Sequence, residues 1–417
     1  MAEGQKVKVT CLGQIVIALF MLGCVAGAAW SFGLRPTWPP SFAGYGGGGN
    51  TPRPVDPGHG ATHSPNPAPT PQSVPTVELG IAYGTEKERW LKWAVQEFVK
   101  TPEGAKIKIN LIPKGSLEAA QALLADDKKI HVWSPASALY KDVFVQEWQL
   151  KHSKNPIVKE DVLALSPMVF VMWAERYDGF ISKFKEINFT TIGQALQEPG
   201  GWQAIAQRPE WGIFKFGHTH PNSSNSGLMT LVLASYEYNK KSRGLVLKDI
   251  LDARFQGWLF GIERATSGMS NSTGNMMREM VLKGPASFDA LCVYENVALD
   301  YLKNAEGRWG ELRVTYPKIN MWNDNPYYII DAPWTTPEHQ QAAQIFLDFL
   351  LTEPIQKQAL VHGFRPGNPT VSIKEADSPF VANSRYGFKI DLDEIAEAPK
   401  AEVINNLLAM WQRSVGK

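Results

Sequence analysis

At 417 residues, 44% hydrophobic and 20% charged, the chain has room for two or three globular domains and the composition of an ordinary folded protein. Its 42 basic and 41 acidic residues leave a net charge of +1 without a basic block, which argues against nucleic acid as a partner. Three cysteines, Cys11, Cys24 and Cys292, build neither a disulfide framework nor a cysteine zinc site; Cys292, in the apolar run FDALCV, reads as a small buried hydrophobe.

Residues 12–31, LGQIVIALFMLGCVAGAAWS, are almost wholly apolar. At about 1.5 Å per residue they span about 30 Å, the thickness of a hydrocarbon core. Lys6 and Lys8 place residues 1–11 in the cytoplasm and everything after residue 31 on the far side. The segment is taken as an uncleaved transmembrane signal-anchor. A cleaved signal peptide, or a lipoprotein signal acylated at Cys24, would export the same domain. Residues 32–76, rich in Pro and Gly, read as a tether with a reach of roughly 35–40 Å.

From residue 77 strands and helices alternate. VELGIAYG (77–84) reads as a strand; a helix follows, with Thr85 and Glu88 spaced as a capping box and Leu91, Ala94, Val95 and Phe98 on one face. KIKINLIP (106–113) is a second strand, and SLEAAQALLADD (116–127) a helix capped by Ser116. IHVW (130–133) is a third strand, and Ser134-Pro135 opens another helix. Three such units predict α/β architecture with a mainly parallel sheet. Ligands of open α/β sheets bind at the carboxyl ends of strands. Gly84, Thr85 and Ser134 lie there, and the two hydroxyls serve either as caps or as ligand contacts.

LALSPMVFVMWAE (163–175) reads as a longer strand. Residues 211–238 then give an apolar run from Trp211 to Phe216, a polar turn and an apolar helix from Leu228. The turn holds Thr219, Asn222, Ser223, Ser224, Asn225, Ser226 and Gly227. Hydroxyls beside the unpaired N–H groups of a helix start suit an anionic or polyhydroxyl ligand. Further on, Asn271, Ser272 and Thr273 precede a helix, and Tyr294 ends the strand FDALCV. RVTYPKI (313–319) and YYIIDAPW (327–334) read as strands before the closing helices, including 339–364.

The order and spacing of these pieces resemble an extracellular or periplasmic solute-binding protein of the type II periplasmic binding-protein fold, with the molybdate-type subgroup nearest. The resemblance covers about residues 77–370. It rests on Tyr83-Gly84-Thr85, Trp133-Ser134, HPNSSNSG (220–227), ALCVYENVAL (290–299), and IIDAPW with the run 339–369 ending in Gly-Phe-Arg-Pro. It implies two lobes, residues 77–170 plus 330–417 and residues 171–329, hinged by strands at 166–175 and 327–334. It also implies ligand contacts from Thr85, Ser134, Ser224, Asn225, Ser226, Gly227 and Tyr294, flanked by Tyr83, Gly84, Trp133 and Ser223.

The function this implies is capture of a small solute by closure of the lobes, on behalf of an ABC-type permease or another membrane receptor. The hydroxyl-rich turns favour an oxyanion, and the 14 tryptophans leave a sugar or other organic solute open. A sensor domain signalling through a membrane partner is the alternative. Catalysis is not expected, because Gly-x-Ser-x-Gly, the P-loop and His-Glu-x-x-His are absent. No cofactor is expected, nor a metal at His218, His220 and Glu237, and the protein is expected to be a monomer.

Overall fold

The computed structural model describes residues 76–416. The expected signal-anchor at 12–31, the tether up to residue 75, Cys11 and Cys24 lie outside them. No helix among the described residues is long and apolar enough to cross a membrane.

The domain opens with the three expected units. β1 (Val77–Tyr83) passes through a 3-10 turn at Thr85–Lys87 into α1 (Glu88–Phe98). β2 (Ile107–Pro113) leads to α2 (Ser116–Leu124), and β3 (Val132–Ser134) to α3 (Lys141–His152). β4 (Ile157–Val162) and the long β5 (Ala164–Trp173) follow. Then come α4 (Ala174–Phe184), α5 (Phe189–Leu196), α6 (Gly201–Ala206), β6 (Phe216–Gly217) and α7 (Asn225–Asn239). α8 (Leu247–Leu251), α9 (Ala253–Ala265) and α10 (Thr273–Lys283) precede β7 (Ala290–Tyr294) and α11 (Glu295–Ala305). The chain returns through β8 (Leu312–Thr315), β9 (Ile319–Asn320), β10 (Trp322–Asn323) and β11 (Pro326–Ile330). It ends with α12 (Pro337–Leu350), α13 (Glu353–Val361), β12 (Arg365–Pro366), α14 (Pro379–Ala382), β13 (Glu394–Ile395) and α15 (Ala401–Ser414).

Two main sheets form. The first has the order β2-β1-β3-β11-β4; the second is built on β5, with β10, β7 and β6 in line and β8 also on β5. β1 is parallel to β2 and β3, whereas β11 is antiparallel to β3 and β4. β5 is antiparallel to β7, β8 and β10, and β6 is parallel to β7. The sheets are therefore mixed rather than mainly parallel. β5 and β11 carry the chain out of and back into the first sheet's lobe, and such returning strands arrive reversed.

β5 itself is the first crossing: Ala164 and Leu165 pair with β12, while Met168–Met172 pair with β7. The return crossing lies at residues 320–325, ahead of the expected 327–334, because β11 already belongs to the first sheet. Asparagines hold it. Asn320 Oδ1 accepts from Met168 N (3.0 Å), Asn323 Nδ2 donates to Ser166 O (2.8 Å), and Asn325 N donates to Ala136 O (3.0 Å).

Packing follows strand alternation. Leu79, Ile81 and Tyr83 lie on one face of β1 and pack with Trp90, Phe98 and Phe346 of α1 and α12. A larger core runs from Ala82, Trp133 and Phe144 to Phe170, Phe216 and Leu291 of the second sheet. The apolar run from Trp211 to Phe216 yields just one strand residue, Phe216, which opens β6. Trp211 is committed elsewhere: its ring lies under the Arg176 guanidinium (3.6 Å) and edge-on to Trp202 (5.1 Å). The last helix, α15, packs on α3 beside the first sheet and on α7 and α8 beside the second, so the C-terminal segment touches both lobes.

Candidate functional site: the cleft between the lobes

β1 and β3 end side by side. Tyr83 is in register with Ser134, and Gly84 N donates to Ser134 O (3.0 Å). The side chains that follow leave the first lobe for the second. Thr85 does not form the expected capping box with Glu88; Gly84 takes the N-cap position without a side-chain bond, and Thr85 Oγ1 lies 3.0 Å from Ser272 Oγ across the cleft. Ser134 is fully buried, and its Oγ has no hydrogen-bond partner among the described residues. The helix expected at Ser134-Pro135 starts later. Ser137 Oγ accepts from Leu139 N (3.3 Å) and donates to Asn225 Oδ1 of the second lobe (2.7 Å).

Ser116 also differs from expectation. Gly115 is the N-cap of α2, and Ser116 Oγ accepts from Ala136 N (3.0 Å), tying two strand-end loops together. Gly115 brings the lobes close together: a Cβ there would stand 2.2 Å from Ser223 O. Any larger residue would wedge the cleft open.

In the second lobe the turn before α7 is held by its own hydroxyls. Ser223 Oγ donates to Asn271 Oδ1 (2.9 Å), and Ser224 N donates to His220 O (2.9 Å). Ser226 Oγ lies 2.5 Å from Thr219 Oγ1 and 2.6 Å from Thr273 Oγ1. Gly227 packs directly on the Thr219 carbonyl. Asn225 is the junction, since its Nδ2 donates to Tyr294 OH (3.1 Å) and to Asn323 Oδ1 at the return crossing (2.8 Å). Burial, and then the charge of Glu86 from the other lobe, hold the Tyr294 hydroxyl well above its ordinary pKa.

Gly84, Thr85, Ser134, Ser223, Ser224, Asn225, Ser226, Gly227 and Tyr294 thus come together around the cleft. Tyr83 and Trp133 do not. Tyr83 points into the first core, and Trp133 packs edge-on to Phe144 (4.8 Å). Alternation along the strands decides this: the residue preceding each strand-end glycine or serine faces the opposite way.

The sequence reading missed Glu86 and Lys87, which fall inside the expected Thr85/Glu88 capping box. Lys87 is fully buried, and its Nζ donates to Glu86 Oε1 (2.6 Å), Pro135 O (3.0 Å) and Asn325 Oδ1 (3.0 Å). Burial lowers its pKa, while Glu86 pulls the other way. Asn296 Nδ2 of the second lobe donates to Glu86 O (3.3 Å). One signal was available: a charged pair two residues after a strand-end glycine sits where α/β sheets present ligands.

His218 and Glu237 are engaged apart from each other. Glu237 accepts from Phe189 N (3.0 Å) and Thr190 N (2.8 Å) at the start of α5. His218 Nδ1 donates to Thr219 O (2.8 Å), and Nε2 lies 3.1 Å from Glu263 Oε1. Burial opposes a charge on His218, but Glu263 outweighs it and raises the pKa. Glu263 also accepts from Trp411 Nε1 of α15 (2.6 Å).

This two-lobed arrangement agrees with the comparisons to known proteins. A family model described as bacterial extracellular solute-binding protein matches residues 79–365. The chain belongs to that family. Solved structures share its fold. The sulfate-binding protein SubI from Mycobacterium tuberculosis H37Rv aligns with a TM-score of 0.53 at 16% identity, over 77% of this chain and 94% of that one. A periplasmic thiamin binding protein aligns at 0.57 and 12%, over 82% and 97%. Iron-bound HitA from Pseudomonas aeruginosa aligns at 0.55 and 14%, over 82% and 100%. At such identities the likeness shows the fold, that of the type II periplasmic binding proteins. No curated protein matches the solute-binding protein in sequence.

Proposed function

We propose that this solute-binding protein captures a small solute between its lobes by hinge closure and delivers it to an ABC-type importer, in the membrane to which residues 12–31 anchor it. The observation that carries this is the bonding across the cleft. Thr85 to Ser272, Ser137 to Asn225 and Asn296 to Glu86 each join one lobe to the other, at strand and helix ends suited to ligands. Ser134 Oγ supplies an uncommitted buried hydroxyl in the same place. A solute touching both lobes shifts the open–closed equilibrium by its extra affinity for the closed form. Relatives of this fold named for sulfate and for thiamin take small solutes in keeping with the reading.

Photo-crosslinking in native membranes tests the delivery step. A benzophenone side chain at Lys92, on the outer face of α1, is expected to capture a polytopic permease subunit. Capture of a membrane kinase instead would replace import by sensing.

A further inference from the structure

The cleft contains a carboxylate of its own. Glu86 folds back over Gly84, so that a Cβ on Gly84 would stand 2.3 Å from Oε1 and 2.5 Å from Oε2; glycine there makes room for it. The Glu86 side chain is 6% exposed. Oε1 takes the Lys87 ammonium, while Oε2 accepts from no donor among the described residues. Lys87 cannot turn to a ligand, because its three hydrogens are already given to Glu86, Pro135 and Asn325. Arg89, at the rim, is engaged by Asp300 across the cleft (3.1 Å).

Nearby, Asp324 Oδ1 accepts from Ala138 N (2.8 Å), and its charge is felt at Lys87. Asp324 is answered by Lys141 as well as by Lys87, so the carboxylate oxygen left over in the inner cleft is that of Glu86. A buried hydroxyl, Ser134 Oγ, stands without a partner among the described residues. An oxyanion entering here meets a fixed like charge in a water-poor space, where repulsion is weakly screened. A cationic nitrogen meets a free carboxylate oxygen and gains a charge-assisted hydrogen bond.

We infer that the solute carries a protonated amine, that Glu86 Oε2 is the specificity-determining contact for it, and that Lys87 acts as the positioning residue that holds Glu86 in place. This rests on the cleft being the ligand site, and it replaces the oxyanion favoured by the hydroxyl-rich turns.

The test is a thermal-shift and calorimetric comparison on the full chain, with putrescine, glucosamine and ethanolamine set against sulfate and molybdate. At least one amine is expected to raise the melting temperature, and the two oxyanions to leave it unchanged. Glu86→Gln, whose amide oxygen still accepts from Lys87, is expected to weaken the amine at least tenfold. Binding of sulfate or molybdate, amine affinity within twofold in Glu86→Gln, or no response to any amine overturns the inference. The wild-type comparison stands even if the variant folds poorly. Tyr294→Phe with Ser134→Ala separates the two levels. If that pair weakens whatever binds while Glu86→Gln does not, the cleft stands and the amine falls. If neither affects binding, both fall.

Discussion

Hydroxyls at strand-end loops have two uses, and Ser134 and Ser137 take different ones. Ser137 spends its hydroxyl on closure, donating to Asn225 across the cleft, and Thr85 does the same toward Ser272. Each such neutral bond is worth about 1 kcal/mol. Thr85→Ala and Ser137→Ala are therefore each expected to weaken solute binding about fivefold in calorimetry, through a less stable closed form. Ser134 has no hydrogen-bond partner to lose among the described residues. Ser134→Ala is expected to leave the melting temperature within a degree or two while binding drops, and a large fall in stability would contradict that placement.

Asp289 gives the clearest pH signature at this scale. It accepts from Trp202 Nε1 (3.0 Å) and Lys215 N (2.8 Å) and lies 3.0 Å from Arg176 Nε, yet burial pushes its pKa up to about 6. A carboxyl that binds its proton more tightly when folded stabilises the fold fully below about pH 4 and loses that contribution as pH rises through about 6. The loss amounts to roughly 3 kcal/mol. Asp289→Asn is expected to flatten that part of the stability profile in urea titrations across pH 4–7; an unchanged profile would refute it.

Elements with strong periodicity were legible. β1, β2, β3, α1 and α12 lie within a few residues of their expected ranges, because alternation and apolar faces dominate there. What misled were local signals competing with tertiary bonds. The Thr85/Glu88 spacing is that of a capping box, but Ser272 claims the hydroxyl. Ser116 has the position of a cap, but the Ala136 amide claims it. Glu86 and Lys87 have the look of a solvated helix start, and nothing local announces that Asn325, more than 200 residues away, will bury the lysine.

Two further predictions concern elements. His131 of the loop before β3 accepts from Gly80 N (2.9 Å) and stacks on His339 of α12 (4.0 Å). Burial, then the neighbouring His339, lowers its pKa to about 4. Its contribution is present above about pH 6.5 and fades as pH falls through about 4. His131→Gln, which keeps an acceptor, is expected to lower the difference in melting temperature between pH 7.5 and 4.5. For α15, Trp411 fills the core and bonds Glu263. Trp411→Ala is expected to cost about 3–5 kcal/mol in chemical denaturation. A cost under about 1 kcal/mol would mean that α15 is dispensable.

On the scale of the whole molecule, two sheets joined by β5 and the segment 320–325 form a hinge whose lobes meet through polar bonds, the Arg89–Asp300 ion pair and close backbone approaches such as that of Gly115 to Ser223 O. Such an interface suits reversible opening, since neutral bonds and a partly exposed ion pair are readily exchanged for a solute or for water. α15, touching helices of both lobes, limits how far they separate.

The most direct test of this account is the distance between spin labels at Leu150 and Ile213, one in each lobe and both highly exposed. The labels would be placed on the Cys11→Ser, Cys24→Ser chain, leaving Cys292 buried. The solute is the compound giving the largest thermal shift. The account predicts a broad distribution with longer distances in the free protein, collapsing to one shorter distance when that solute is added. A single distance, identical with and without it, would contradict closure on a solute held between the lobes.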